Sequence, residues 1–436
     1  MEAWLLAFIL LGSLLLFLVL GLPVAFSLGG LSLAIGYFVW GGTGGFYAVT
    51  LGSLGKLSSF TLTAIPLFLL MAAVLRHSGL ADDMYEMINR WMGSIKGGLA
   101  MGTVVISAIF AAMVGISTVA TATLGLTALP SMLKRGYNKK LAAGAICAGG
   151  ALGIIIPPSV IMIIYASEAE VSAGQMFFGG IIPGVLMATL FIIYIAVRCM
   201  RNPSEGPPVQ ENFTWAQKLT SLRSVSLPVL IILLVLGVIY LGLATPTEAA
   251  AIGLVGSLFC ALVRRKLNLE NIKQMFAMGV GVNAMVFWII IGAVAYSRLV
   301  TMSGVGEWFS ELVTGMEVNR WLILVGMQAI FFMLGMFLDP AGIILITGPF
   351  FLPVVTALGF DPLWYGILFI INMCMAYLTP PFGFNLFVIK AVAPPGLTMS
   401  DVYVAIWPFV LIQAITLAII AAFPQLVTWL PSLMIK

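Results

Sequence analysis

The sequence predicts an all-α polytopic membrane protein with two inverted repeats, each containing a re-entrant hairpin and a helix broken by prolines. Three observations lead to this fold class. The composition is 61% hydrophobic and 8% charged, the basic residues are placed asymmetrically, and a set of short motifs recurs at a constant offset. A soluble domain carries roughly 25% charged residues, so the chain is predicted to lie in the lipid bilayer.

Uncharged runs of the length needed to cross a bilayer, roughly 20 residues, follow one another along the chain. The segments 97–133 and 321–360 are too long for one helix and short for two. Each is either one long helix or a hairpin that enters and leaves on the same side, with tips near 115–118 and 339–340. With two hairpins, the remaining spans are predicted near 4–20, 23–40, 60–76, 141–165, 175–197, 225–243, 248–263, 276–296, 362–390 and 404–430.

The basic residues favour the two hairpins. With the N-terminus outside, this topology places 16 of the 20 Lys and Arg residues in cytoplasmic loops, as the positive-inside rule requires. Only Lys56, Arg298, Arg320 and Lys436 remain outside. Treating one hairpin as a single span reverses every later loop and removes the asymmetry. Both termini are therefore predicted to lie outside.

These features divide the chain into consecutive units. Two of them contain amphipathic arms, 81–97 and 303–319, which carry Trp and charges and are predicted to lie along opposite membrane surfaces. In order, the units are N-terminal scaffold helices (1–59), a helix and arm (60–97), hairpin 1 (98–133), the broken and following helices of repeat 1 (141–200), a cytoplasmic loop (201–224), scaffold helices (225–275), a helix and arm (276–320), hairpin 2 (321–360), the broken helix of repeat 2 (361–392) and a C-terminal helix (402–436).

An internal repeat carries the functional inference. The pairs LP at 129–130 and 352–353, GYN at 136–138 and GFD at 359–361, and PP at 157–158 and 380–381 are all offset by 223 residues. The pair Ser78-Gly79 and Ser303-Gly304 is offset by 225. In the two-hairpin topology the chain reverses direction an odd number of times between the proline pairs, so the repeats are inverted. Inverted repeats with broken helices are typical of secondary transporters, whose sites lie near the bilayer midplane.

The proline pairs break helices at a depth where an unpaired backbone group costs several kcal/mol. One interpretation is two kinks that adjust helix packing. The other, favoured by the repeat, is that both breaks face a buried polar cavity in which freed carbonyls meet a cation and the hairpin tips complete the site. Hydroxyls, carbonyls and a carboxylate suit Na⁺, and the N-termini of partial helices suit an anionic substrate group.

The polar residues near the tips have alternative roles. Asp339 is either an ion ligand or the cap of the returning helix. Thr121 and Thr123 are expected to bond their own helix backbone. Glu248 is interpreted as a cap that stabilises the scaffold helix after Thr245. The four cysteines show neither a disulfide framework nor a zinc pattern.

Four stretches resemble one transporter family over essentially the whole chain. The large membrane subunit (M subunit, DctM-like) of TRAP (tripartite ATP-independent periplasmic) transporters is similar to FAAMVGISTVATATLGLTALPSMLKRGYNKKLAAGAICAGGALGIIIPPS (110–159), TPTEAAAIG (245–253), GMFLDPAGIILITGPFFLPVVTALGFDPLWYGI (335–367) and TPPFGFNLFV (379–388). The resemblance implies an elevator-type, Na⁺-driven symporter that imports a small organic anion across the bacterial inner membrane. It also implies two partners, a small four-helix membrane subunit and a periplasmic substrate-binding protein, with no nucleic acid, no enzymatic activity and no cofactor beyond Na⁺.

The resemblance also assigns site residues. The first Na⁺ site takes Gly115, Ser117, Thr118, Gly153, Ile156 and Pro157, the second takes Asp339, Gly342, Thr379, Pro380 and Gly383, and the substrate contacts are Ser117, Ser159 and Asn385. Two departures make the site less polar than in many members: a VGIST tip with Val114 and Ile116, and Cys374 where an acidic residue is usual. These favour monocarboxylates, keto acids or aromatic acids over sialic acid.

Other functions fit less well. A stand-alone symporter or a Na⁺/H⁺ antiporter of similar two-hairpin build is the alternative, but an antiporter needs a titratable carboxylate at each site and only Asp339 qualifies. The repeat supplies neither the permeation path nor the oligomeric symmetry of a channel. No paired His, Glu or Asp motif indicates an intramembrane enzyme.

Overall fold

The structure is a computed structural model that describes residues 2–39, 42–209, 211 and 213–434, so the predicted outside residue Lys436 lies beyond it. In these residues the regular structure is helical, without β-strands. The α-helices are α1 (Ala3–Val19), α2 (Val24–Val39), α3 (Thr43–Leu57), α4 (Ala64–His77), α5 (Leu80–Met92), α6 (Gly98–Val114), α7 (Ser117–Lys134), α8 (Lys139–Ile155), α9 (Val160–Glu168), α10 (Ala173–Arg201), α11 (Trp215–Tyr240), α12 (Pro246–Val263), α13 (Leu269–Met302), α14 (Val305–Thr314), α15 (Arg320–Gly335), α16 (Pro340–Ala357), α17 (Pro362–Ala376), α18 (Phe384–Val392), α19 (Met399–Ala422) and α20 (Gln425–Ser432).

Several of these helices are suited to a bilayer. Within the described chain, seven segments are long and apolar enough to cross a membrane, and α11 raises the number to eight if it is counted as one span. The seven segments are 60–77, 139–168, 173–201, 246–263, 269–302, 340–357 and 399–422. The predicted all-α polytopic membrane class is therefore confirmed.

The first repeat turns and breaks where its glycine and prolines lie. Helices α6 and α7 are joined through Gly115, whose φ of 63° is left-handed. Glycine adopts this conformation without steric cost. Helix α8 ends at Ile155 and α9 begins at Val160, so residues 156–159 with both prolines are not helical.

The second repeat has the same construction and meets the first. Helices α15 and α16 are joined at Asp339, and α17 and α18 are separated by residues 377–383. The Cys374 thiol of α17 donates a hydrogen bond to the Ala151 carbonyl of α8 over 3.2 Å, and the two residues are 223 positions apart. Equivalent positions touch in this way only beside the axis that relates them, so the pseudo-two-fold axis passes between α8 and α17.

The helices form two groups. The scaffold group, α2–α4 and α11–α13, is built around the long α13, which packs on α2, α3 and α4. The core group, α6–α10 and α15–α19, is built around α8, whose residues 141–155 are all buried. The groups meet mainly where α13 packs on α16 and where α4 packs on α6 and α9.

The two arms begin alike. Helices α5 and α14 follow Gly79 and Gly304, whose φ angles of 75° and 69° are left-handed. Helix α5 is tied to the scaffold group, because the Trp91 indole donates to the Lys218 carbonyl over 3.0 Å and Arg264 bonds Asp83.

Helix capping explains where α11 and α12 begin. Helix α11 begins at Trp215, inside the segment predicted as a loop, because Thr214 and Gln217 form a capping box. Thr245 and Glu248 form the same box at α12, so Glu248 caps its helix as predicted.

The repeat also places equivalent caps at the starts of α8 and α17. The Asn138 side chain accepts a hydrogen bond from the Lys140 backbone N–H over 2.9 Å. Asp361, 223 positions later, accepts from the Leu363 N–H over 2.7 Å. Each side chain satisfies backbone donors that the first helical turn leaves unpaired.

We expect Asn138→Ala and Asp361→Ala each to lower the free energy of unfolding by about 1 kcal/mol, the usual value of an N-cap side chain. Denaturant titration of the protein in detergent measures this change. Asn138→Asp and Asp361→Asn keep a capping oxygen and serve as matched controls. An unchanged stability in both alanine variants would contradict the capping role.

Candidate functional site

Both hairpin tips line one small cavity between the helix groups. Its volume is about 70 Å³, which holds a small ion or a few waters, since a water needs roughly 10–15 Å³ of such volume. The core group contributes Gly115, Ile116, Ser117, Ile154, Val160, Ile161, Asp339, Pro340, Ala341 and Tyr377, and the scaffold group contributes Leu69, Val282, Met285 and Val286. We call it the tip cavity.

Tip 1 packs directly on the first helix break. A Cβ built on Gly115 would lie 2.8 Å from the Pro158 carbonyl oxygen, and one on Gly153 would lie 3.3 Å from the Ser117 backbone nitrogen. Glycine at both positions therefore allows the tip to approach α8 and its break. The structure thus brings Gly115, Ser117 and Gly153 together, as predicted.

The first break also contains a buried hydroxyl without a partner. The Ser159 side chain is fully buried, and its Oγ makes no hydrogen bond to the described residues. Leaving such a group unpaired costs about 1–3 kcal/mol. A bound cation or water at this hydroxyl would offset that cost.

At tip 2, Asp339 is the N-cap of α16. One carboxylate oxygen accepts from the Ala341 N–H over 2.9 Å, and the other accepts from the Tyr377 hydroxyl over 3.0 Å. Capping, one of the two roles that the sequence allowed for Asp339, is confirmed, and the role of ion ligand stays a prediction. Each oxygen has a second lone pair, so capping leaves acceptor capacity for an ion. Tyr377 was missed by the sequence reasoning, because nothing local shows that its hydroxyl reaches hairpin 2.

The other residues assigned to the second Na⁺ site differ in what they contact. Gly342 faces the scaffold group, since a Cβ there would lie 3.1 Å from a Val24 methyl carbon. Thr379 donates to the Met375 carbonyl of the preceding turn over 2.8 Å. Gly383, with φ 52°, starts α18 beside the Thr379 carbonyl. Pro380, between them, is half-buried.

Two of the predicted substrate contacts, Ser117 and Asn385, bond each other. The Ser117 hydroxyl donates to the Asn385 side-chain oxygen over 3.0 Å, and the Asn385 amide donates to Ser117 Oγ over 2.8 Å and to the Cys147 carbonyl over 3.2 Å. Both side chains are buried. This pair joins tip 1 to the segment after the second break, so the second repeat contributes to the surroundings of tip 1.

The remaining candidates are threonines of hairpin 1 and residues of the first helix break, and they differ in burial and in hydrogen bonding. Thr123 bonds the Val119 carbonyl of its own helix over 2.8 Å, as predicted. Thr121 does not, because its hydroxyl is buried against Gly150 without a partner in the described residues. Thr118 is half-buried and Pro157 buried. The Ile156 side chain points to α10, where it approaches Gly184.

Comparison with known proteins assigns the family. The family model "Tripartite ATP-independent periplasmic transporter, DctM component" matches residues 11–426. The chain belongs to the DctM family. It is 34% identical to the C4-dicarboxylate TRAP transporter large permease protein DctM of Pseudomonas aeruginosa, over 86% of each chain. It is 31% identical to the protein of the same description from Rhodobacter capsulatus, over 98% of this chain and 99% of that one.

Other DctM-family relatives differ in the substrate of their description. The sialic acid TRAP transporter large permease protein SiaM of Vibrio cholerae is 27% identical over 95% of each chain. Among solved structures, the YdaH transporter of Alcanivorax borkumensis aligns with TM-score 0.69 and 14% identity, over 96% of this chain and 98% of that one. This likeness concerns the fold alone.

Family membership confirms the predicted resemblance. This DctM-family chain is the large permease of a TRAP transporter, a multi-pass membrane transporter and not an enzyme. A large permease of this class implies a small membrane subunit and a periplasmic binding protein as partners.

We expect Ser117 and Asn385 to be energetically coupled. Asn385→Ala should lower the free energy of unfolding by about 1–3 kcal/mol, because the Cys147 carbonyl and the Ser117 hydroxyl lose a buried partner. In a double-mutant cycle with Ser117→Ala, measured by denaturant titration, the coupling should be about 1 kcal/mol. Ser257, which bonds its own helix in α12, provides the control. Ser257→Ala should add to Asn385→Ala without coupling, and equal coupling in both cycles would contradict the pair.

Proposed function

We propose that this chain couples Na⁺ to the import of a small organic carboxylate, delivered by a periplasmic binding protein and carried by an elevator movement. The observation that carries the proposal is the tip cavity, which both hairpin tips and the start of α9 line together. The small membrane subunit of this proposal has four helices, and the periplasm is on the side of Lys56 and Arg298.

The oxygen groups at the tips suit Na⁺. The Asp339 carboxylate lines the tip cavity, and one carboxylate balances one monovalent cation. The Pro158 carbonyl and the unpaired Ser159 hydroxyl, which precede Val160 of the cavity wall, are the neutral oxygen ligands of this proposal. Helix α8 ends at the break, so its last carbonyls add the negative end of the helix dipole. Unwound carbonyls and helix C-termini coordinate Na⁺ in transporters with broken helices.

The distribution of polar groups favours movement of the core group. All oxygen ligands proposed for Na⁺ belong to the core group. The scaffold side chains that line the tip cavity, Leu69, Val282, Met285 and Val286, are apolar. An ion held by the core group can therefore pass the scaffold without breaking a polar contact to it.

The substrate class rests on the relatives and on volume. Large permeases for C4-dicarboxylates and sialic acid both handle carboxylates. The tip cavity, at about 70 Å³, is far below the roughly 300 Å³ of small ligand sites. Ser117 and Asn385 bond each other, so substrate binding by Ser117, Ser159 and Asn385 requires this contact to open. The apolar tip residues Val114 and Ile116 favour a less polar acid than sialic acid.

We expect Na⁺ to raise the melting temperature of the purified protein saturably, compared with equal KCl and choline chloride. A ligand that binds only the folded state at 100 times its Kd adds about 2.7 kcal/mol. Asp339→Asn should remove most of the Na⁺ effect, because Asn caps a helix as well as Asp but lacks the charge. Thermal unfolding in the three salts measures the effect.

Glu248→Gln is the matched control, since Glu248 caps α12 away from the tips, and it should keep the Na⁺ effect. Equal melting temperatures in the three salts would remove the support for Na⁺ coupling. A response to pH that is lost with Asp339→Asn, without a response to Na⁺, would favour a proton-coupled transporter.

A further inference from the structure

A larger cavity lies between the scaffold group and the core group. It has a volume of about 580 Å³. Its lining includes Gly52, Lys56, Arg298 and Thr301 on the scaffold side, and Glu168 and Glu170 on the core side. We call it the vestibule. Sites for small ligands measure roughly 300–1,000 Å³, so a small organic acid fits here and not in the tip cavity.

We propose that the vestibule is a second binding site of this protein, which holds the carboxylate of the cargo on Arg298, with Lys56 beside it, before the cargo reaches the tip cavity. This inference deepens the proposed function and rests on it. Lys56 and Arg298 are two of the four basic residues that the charge pattern places outside. The vestibule therefore lies on the side from which a binding protein delivers cargo.

Arg298 is held in position without being neutralised. Its stem packs on Gly52, where a Cβ would lie 3.0 Å from Arg298 Cγ and 2.7 Å from Nε. Glycine at this position therefore allows α3 and α13 to approach around the Arg298 stem. In the described part of the chain no hydrogen bond or ion pair is formed by the Arg298 guanidinium. Arginine presents five donors in a planar fork that matches a carboxylate.

Lys56 has a different role. Its ammonium donates to the Ser167 carbonyl over 2.6 Å and lies 3.8 Å from the Glu168 carboxylate. Lys56 thus connects α3 to the C-terminal end of α9, where a cation is favoured by the helix dipole. Because Lys56 counters the charge of Glu168, Arg298 is the cation with free donors, and the exposed Glu170 opposes anion binding.

Three helices connect the vestibule to the tip cavity. The tip cavity is lined by Val160 of α9, Pro340 of α16 and Val286 of α13. The vestibule is lined by Glu168, Gly348 and Val294 of the same three helices. Each pair is eight positions apart, which is about 12 Å along a helix at 1.5 Å per residue. The vestibule therefore lies directly beyond the tip cavity, along the boundary between the two groups.

Protection of a cysteine tests this site. Thr301→Cys places a thiol on the vestibule wall, whereas the four native cysteines are buried. With the full-length protein in detergent, succinate as the probe should slow labelling by N-ethylmaleimide saturably and at least threefold, compared with NaCl of equal Na⁺ concentration. Adding Arg298→Gln should raise the half-protecting succinate concentration at least tenfold. Arg298→Lys should retain part of the protection, and Glu170→Gln should lower the concentration needed.

Arg320→Gln is the matched control. Arg320 is also predicted outside, but it lies over the rings of Trp321 and Phe360 and not in the vestibule, so protection should persist. Labelling that succinate does not slow, or protection that Arg298→Gln leaves unchanged, would overturn the vestibule site. A cooperative thermal unfolding transition, measured on the same proteins, verifies folding. A transition that does not shift with Na⁺, together with intact protection, would overturn Na⁺ coupling and not the vestibule.

Discussion

At both helix breaks, backbone groups lie at membrane depth, where no water can bond them, so they need hydrogen-bond partners within the protein. The rest of the core group is arranged around this constraint. Helix α8 meets it with small residues on the side that faces hairpin 1. Gly149 lies under the Ser107 side chain, Gly150 under Thr121 and Gly153 under the Ser117 backbone. These glycines allow the hairpin to approach until its tip covers the first break. A side chain at any of them would separate the tip from the groups it covers.

The repeats share a design but not an environment. Cys374 and Ala151 touch beside the axis, so the broken helices are related closely at their centres. At the ends they differ, because Pro157 and Pro158 are buried, whereas their equivalents Pro380 and Pro381 are half-buried and exposed. Two equivalent sequences therefore have unequal access to the surroundings.

Local chemistry made much of the fold predictable, and distant packing limited the rest. The tip at Gly115, the cap at Asp339 and the proline breaks depend on the residue types themselves. The start of α11 could also have been predicted, because Thr214 and Gln217 have the spacing of a capping box. By contrast, Ser117 and Asn385 are 268 positions apart, and neither their contact nor that of Tyr377 with Asp339 leaves a local pattern. The vestibule likewise arises from Gly52 meeting Arg298, which only the packing of α3 on α13 reveals.

The two proposed sites differ in which group holds the charge. The oxygen ligands proposed for Na⁺ belong to the core group, whereas the basic side chains of the vestibule, Lys56 and Arg298, belong to the scaffold group. A moving core group would therefore carry Na⁺ with it but would draw the cargo away from Arg298. The same movement breaks the contact of Lys56 with Glu168, at 3.8 Å, and the hydrogen bond from Lys56 to the Ser167 carbonyl. These two contacts therefore favour the present arrangement of the groups, and the proposed movement has to replace them.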